Sequence, residues 1–348
     1  MKKYIPILVI ILVVMVLIGI SRTQSVSNVV PRLSITKSDQ GKEIEITHPL
    51  QIEEMRERDY PGSDVVIQEK LPDGNGFERY IASYISDGNS INGLLAIPKG
   101  EPPDGGWPAI LFNHGYIRPE EYRREQKYVA YLAGFASEGY VVFMSDYRGH
   151  QDSEGQPLGA YFSPAYTTDV LNAYESIKNY TSVNPDKVGM WGHSMGGHIV
   201  LRSMVVNSDI KAGVIWGGVV ASYQDMVTSW NRRRPWIPSE RENMSNRPGR
   251  GNLEEEYGDI TTNLDFWRSI SPIYYVEDVS GPLQIHHGLS DDTVPWQFSE
   301  SLYNALTEAE KEAEYYTYEG GDHNLSGSSF SPAMQRSVDF FDKHLKGE

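Results

Sequence analysis

The run Gly192-His193-Ser194-Met195-Gly196 constrains this chain more than any other stretch. It joins a short strand-like segment, Lys187-Val188-Gly189-Met190-Trp191, to Gly197-His198-Ile199-Val200-Leu201, which reads as a helix. On so tight a turn the serine is strained, and its hydroxyl projects clear of the sheet. Glycines must flank it, because a Cβ at either place would collide with the neighbouring strand or helix. The pattern predicts a strand–turn–helix that displays Ser194 as a nucleophile.

The rest of the chain is consistent with that element. Val65-Val66-Ile67-Gln68, Tyr80–Ile85 and Ile91–Ile97 are separated by the turns Pro72–Gly76 and Asp87-Gly88-Asn89, a pattern of antiparallel hairpins. From there apolar runs such as Ala109–Phe112, Val141–Met144, Gly213–Trp216 and Leu283–His286 alternate with helical spacings. These are Tyr128/Leu132/Phe135, Phe298/Leu302/Leu306 and Met334/Val338/Phe341/Leu345. Buried strands alternating with helices predict an α/β domain with a mostly parallel central sheet, helices on both faces, over residues 61–348. Residues 221–271 are too long for an ordinary loop and are expected to form a lid insert over the C-terminal edge of the sheet.

A serine hydroxyl needs a base to take its proton, and the base needs a carboxylate to hold its tautomer. In a fold built on such an elbow, the partners follow in the order serine, acid, histidine at later strand ends. His287-Gly288-Leu289-Ser290-Asp291-Asp292 directly follows Leu283–His286, and Asp291 is preferred over Asp292 as the acid. The next strand-like run, Glu314–Tyr318, leads to Gly320-Gly321-Asp322-His323, so His323 is the expected base. His193 lies inside the elbow, but its side chain leaves the turn in another direction. The oxyanion needs two donors. The Met195 N–H, opening the helix, is one; the Tyr116 N–H or hydroxyl, in Asn113-His114-Gly115-Tyr116, is the other. Trp230, Trp236 and Trp267 in the lid are candidates for an apolar substrate pocket.

Composition narrows the function classes. Lys and Arg number 31 against 47 Asp and Glu, a net charge of −16, which argues against nucleic acid as a partner. The absence of cysteine excludes thiolate catalysis and disulfides. No cofactor-binding pattern and no metal-ligand spacing is found. Met1-Lys2-Lys3 precedes an uncharged apolar run from Tyr4 to Ile20, read as a signal anchor or transmembrane helix over residues 1–20. A polar stalk and a short helix outside the core are expected over 21–60. With Lys2 and Lys3 cytoplasmic, the catalytic domain would be membrane-anchored and extracytoplasmic, or secreted after cleavage.

Taken together, Gly192–Gly197, Asp146-Tyr147-Arg148-Gly149, the His287–Pro295 run and Asp322-His323 resemble the catalytic domain of the prolyl oligopeptidase family of serine peptidases. Dienelactone-hydrolase-like and acyl-esterase branches of the α/β-hydrolase superfamily share much of this pattern. The resemblance covers roughly residues 60–348. It implies an α/β-hydrolase fold, Ser194, Asp291 and His323 as a triad, and structural roles for Asp146 and Arg148. The expected activity is a serine hydrolase working through an acyl-enzyme, either a peptidase on short peptides or a carboxylesterase. A non-catalytic binding protein is disfavoured, because a decayed site would usually have lost one member of the triad.

Overall fold

The computed structural model describes residues 34–37, 43–46, 48–230 and 237–348. The apolar run expected to cross a membrane lies outside them. Among the described residues, no helix is long and apolar enough to do so. Two units are distinguished, residues 1–47 and 48–348. In the first, β1 (Ser34–Lys37) and β2 (Glu43–Ile46) pair as an antiparallel hairpin.

The second unit is organised by one nine-stranded sheet. Its strands are β3 (Val66–Leu71), β4 (Phe77–Ser86), β5 (Asn89–Pro98), β6 (Trp107–Asn113), β7 (Val141–Ser145), β8 (Val183–His193), β9 (Gly213–Trp216), β10 (Leu283–Gly288) and β11 (Ala313–Tyr318). The spatial order is β11-β10-β9-β8-β6-β7-β5-β4-β3. Strands β6 to β11 pair in parallel, whereas β3, β4 and β5 form an antiparallel edge joined to β7. This is the α/β-hydrolase fold.

Its two faces are read directly from the strand period of two. Ile110 and Phe112 of β6 join Val142, Met144, Trp191, Val214 and Trp216 in one core cluster. Helices α2 (Val129–Ala136) and α10 (Phe330–Phe341), numbered along the chain with those below, cover that face through Leu132, Phe135 and Phe341. Ala109, Leu111, Phe143 and Ile285 face the other way. There α3 (Ala165–Lys178), α4 (Met195–Val206) and α9 (Trp296–Glu308) supply Val170, Ile199 and Leu302. Each such side chain, taken fully out of water, contributes roughly 1.5–3 kcal/mol before entropy is counted. The site-bearing strand ends therefore rest on a rigid, doubly covered sheet.

One reading needs correction, and one helix went unread. The short helix expected to stand outside the core, α1 (Ile52–Glu57), buries Ile52 and Met55 completely or nearly so. Its Arg56 Nη2 also donates to the Val205 carbonyl at 2.7 Å, near the C-terminus of α4. With only two apolar residues among Glu53, Glu54, Arg56 and Glu57, its pattern is too weak to announce a core helix. Helix α3 escaped the helical spacing for the opposite reason. Twelve of its 14 residues are buried, including Thr167, Thr168, Asp169 and Asn172, so no polar stripe marks its period.

The described residues of 221–271 carry four short helices: α5 (Tyr223–Thr228), α6 (Glu240–Met244), α7 (Arg250–Tyr257) and α8 (Leu264–Ser269).

Candidate active site

Strand β8 ends at His193 and α4 begins at Met195, so Ser194 alone makes the turn. Its backbone sits at φ 55° and ψ −116°, a conformation that costs an L-residue on the order of 1–3 kcal/mol. Neighbouring backbone holds it there. The Ser194 N–H donates to the Trp216 carbonyl at 3.0 Å, and its carbonyl accepts from Gly197 at 3.0 Å and Val219 at 3.1 Å. A Cβ on Gly192 would lie 2.4 Å from the Gly196 carbonyl oxygen, and one on Gly196 only 1.9 Å from that of Asn113. The glycines are needed for close packing, as the motif requires.

Strands β10 and β11 bring Asp291 and His323, the expected acid and base, to the same edge. His323 Nδ1–H donates to Asp291 Oδ2 at 2.7 Å, which leaves Nε2 as the ring nitrogen that does not face the carboxylate. Asp291 is fixed by more than His323. His287 Nε2–H donates to the same Oδ2 at 3.1 Å, and the amides of Thr293 and Val294 donate to Oδ1 at 2.8 and 2.9 Å. Burial alone would raise this carboxyl. The hydrogen bonds from His287, His323 and Val294 outweigh burial and hold it well below the usual carboxylate range. Asp292 is exposed at the rim of the cleft.

The opposite wall is the loop after β6. His114 is buried between the rings of Tyr122 and Tyr147, with centroids 4.4 and 4.3 Å away. Burial, reinforced by His150, pushes it down to about 3, so the ring is neutral. Its Nδ1 donates to the Gly115 carbonyl at 2.7 Å. In a trans peptide the next N–H points the other way, which turns the Tyr116 amide away from His114. The Tyr116 hydroxyl, offered as an alternative donor, donates to Glu242 Oε2 at 2.7 Å. The Met195 amide is among the first four of α4, which lack an intrahelical acceptor. Behind this wall, buried Asp146 accepts from Arg124 Nε at 2.9 Å and Tyr122 at 3.0 Å, while Arg148 Nε meets both Asp169 oxygens at 3.0 Å.

Ser194, His323, Gly115 and Tyr116 line one cleft of about 1590 Å³, walled on the far side by residues of the 221–271 segment such as Glu242 and Arg247. Of the three tryptophans expected at a pocket, Trp230 lines the cleft and donates from Nε1 to the Thr293 carbonyl at 2.8 Å. Trp267 is not a cleft residue. It is 1% exposed, packs on Tyr223 and donates to the Gly258 carbonyl, so it serves the segment's own core. Trp236 lies outside the described residues.

Two site residues, Tyr128 and Gly217, were not foreseen, and His193 was set aside as leaving the turn in another direction. These three surround His323 and the loop after β6, and a Cβ on Gly217 would lie 3.1 Å from the His323 carbonyl oxygen. A histidine wedged between Gly192 and Ser194 was the available signal for His193. Nothing in sequence spacing marks the other two.

Residues 125–348 match the Prolyl oligopeptidase family. The chain belongs to that family. As a member of the prolyl oligopeptidase family it is a serine hydrolase. It is 28% identical over 245 residues to the uncharacterized peptidase YtmA of Bacillus subtilis, covering 70% of this chain and 85% of that protein. Among solved structures, the acylaminoacyl peptidase of Pyrococcus horikoshii matches with a TM-score of 0.58 and 21% identity. That match takes in 79% of this chain and 43% of the peptidase. The acetyl xylan esterase of Paenibacillus sp. R4 matches with a TM-score of 0.62 and 19% identity, over 84% of this chain and 92% of the esterase. At such identities the structural matches speak for the fold alone. The chain thus spans less than half the length of the acylaminoacyl peptidase, but most of the esterase.

Proposed function

We propose that this family member is a serine peptidase that cleaves short peptides through an acyl-enzyme on Ser194. The observation carrying the proposal is the 2.7 Å bond from His323 Nδ1 to Asp291 at the cleft that Ser194 also lines. His323 Nε2 takes the Ser194 proton as Oγ attacks the carbonyl, and Asp291 steadies the imidazolium. The Met195 and Tyr116 amides receive the oxyanion. His323 then passes the proton to the leaving amine, and water clears the acyl group. Peptides are favoured by the cleft, whose 1590 Å³ exceeds the roughly 300–1,000 Å³ of ordinary small-molecule pockets. The similarity to a protein named as a peptidase points the same way.

A second reading is a carboxylesterase, since the motifs around Ser194, Asp291 and His323 are shared with acyl-esterase branches of the superfamily. The two share every step up to the leaving group. The test is fluorophosphonate labelling of the full-length chain with Ser194→Ala as control, followed by p-nitrophenyl acetate against aminoacyl-p-nitroanilides. Absent labelling of the wild type would overturn the mechanism. Ester turnover without amide turnover would replace the peptidase with the esterase.

A further inference from the structure

His193 is 2% exposed and both of its ring nitrogens are engaged. Nε2 lies 2.8 Å from the backbone carbonyl of His323, which can only accept, so Nε2 carries the proton. Burial, reinforced by the neighbouring His323, pushes His193 down to about 3 and leaves the ring neutral. Nδ1 is therefore an acceptor, and the Tyr128 hydroxyl 2.7 Å away must donate to it. The same hydroxyl oxygen accepts the Gly115 N–H at 3.0 Å. Every proton in this chain of three hydrogen bonds has one direction, from Gly115 through Tyr128 and His193 to His323.

We propose that His193 is a positioning residue: through Tyr128 it locks the backbone of the base to the loop that presents the second oxyanion donor. The inference rests on the reading of Ser194, His323 and the Tyr116 amide given above. Gly115 is held twice, its N–H by Tyr128 and its C=O by His114, so the Gly115–Tyr116 peptide has little freedom to rotate. The space around the link is reserved for it. A Cβ on Gly115 would stand 2.6 Å from the Tyr128 hydroxyl and 3.0 Å from His193 Nδ1. Tyr128 itself adopts φ 59°, a left-handed conformation that a bulky residue takes only when its surroundings compel it. The His193 ring also packs under the His323 imidazole, with centroids 4.6 Å apart.

A link of this kind acts on the transition state, where the oxyanion and the base must be placed together. Loss of the link should cost less than loss of an oxyanion donor itself, which typically lowers kcat by about 10²–10³. The test uses the full-length chain, p-nitrophenyl acetate and the rate of fluorophosphonate labelling, with Tyr128→Phe, His193→Phe and the double variant. Each single variant is expected to lower kcat and the labelling rate about tenfold with KM changed less than twofold. The double variant should lose no more than the worse single one. Additive losses, or a change confined to KM, would overturn the proposal. If His193→Phe does not fold by circular dichroism, Tyr128→Phe alone decides, since it removes one oxygen and keeps the ring. Imidazole nitrogen shifts of the wild type should report an Nε2–H tautomer at His193; an Nδ1–H tautomer would reverse the stated direction and overturn it. Inactivity of the wild type in both assays would instead sink the reading of Ser194, which separates the two failures.

Discussion

Gly196 approaches Asn113 so closely that a Cβ on the glycine would stand 1.9 Å from the Asn113 carbonyl oxygen. Asn113 ends β6 and Gly196 is the second residue of α4. This contact seats the helix after Ser194 against the neighbouring strand, and with it the Met195 amide.

Gly196→Ala has no rotamer by which to escape, because a Cβ is fixed by the backbone. The elbow must move by an ångström or more, and misplacement on that scale costs on the order of 10²-fold in rate. Fluorophosphonate labelling should fall by at least that factor, with a lower melting temperature. Labelling within tenfold of wild type would contradict this picture of the elbow.

Asp291 and Asp292 are adjacent in sequence yet differ in what they hold. Asp291 accepts from two imidazoles and two amides, whereas Asp292 is exposed at the rim. Asp291→Asn should lower kcat by roughly 10⁴, the scale seen when a triad acid can no longer orient its histidine. Asp292→Asn should cost far less, and steady-state kinetics of the two variants side by side decide the matter. Equal losses would refute the assignment.

Glu242 ties the 221–271 segment to the loop after β6, the expected source of an oxyanion donor. It is 2% exposed, is ion-paired with Arg247, and accepts from Tyr116 at 2.7 Å and from the Ser239 amide at 2.8 Å. Glu242→Ala breaks a buried ion pair and should cost about 3–5 kcal/mol in denaturant unfolding. Tyr116→Phe removes one hydrogen bond and should cost about 1 kcal/mol, with its effect on stability and KM. A drop of about 10²–10³ in kcat for Tyr116→Phe would mean that the hydroxyl serves the oxyanion after all.

Acid should unfold the protein through its buried histidines. Burial is the chief cause that pushes His114, His193 and His286 down to about 3 and His150 to about 4. In the unfolded chain each takes up a proton near pH 6.5, so below that pH the unfolded state binds more protons and is favoured. Stability is therefore intact above pH 6.5 and declines as pH falls toward 4, by up to ~1.4 kcal/mol per histidine per pH unit. Urea unfolding at pH 7 and pH 5 measures this. Equal midpoints would show that these rings titrate normally in the fold.

Much of the candidate site was legible because its parts are local. Ser194 announces itself through glycines a residue or two away, and Asp291 and His323 stand at the ends of apolar runs whose period marks them as strands. Helix α3 and the core role of α1 were not legible. Each depends on what packs against it from elsewhere in the chain, and their own residues carry little amphipathic signal. Trp267 shows the same limit, since an aromatic in an insert has no local mark that separates a pocket wall from a core.

The amino-acid sequence by itself determined the elbow, the placing of Ser194, Asp291 and His323 after successive strands, and the alternation of strands and helices, because each rests on steric rules or periodicities within a few residues. Only the tertiary structure decided how the site is braced. Tyr128, His193 and His323 lie up to 195 residues apart along the chain, and Tyr116 and Glu242 lie 126 apart. Hydrogen bonds between such groups depend on distances near 3 Å that only the packing of the whole sheet establishes.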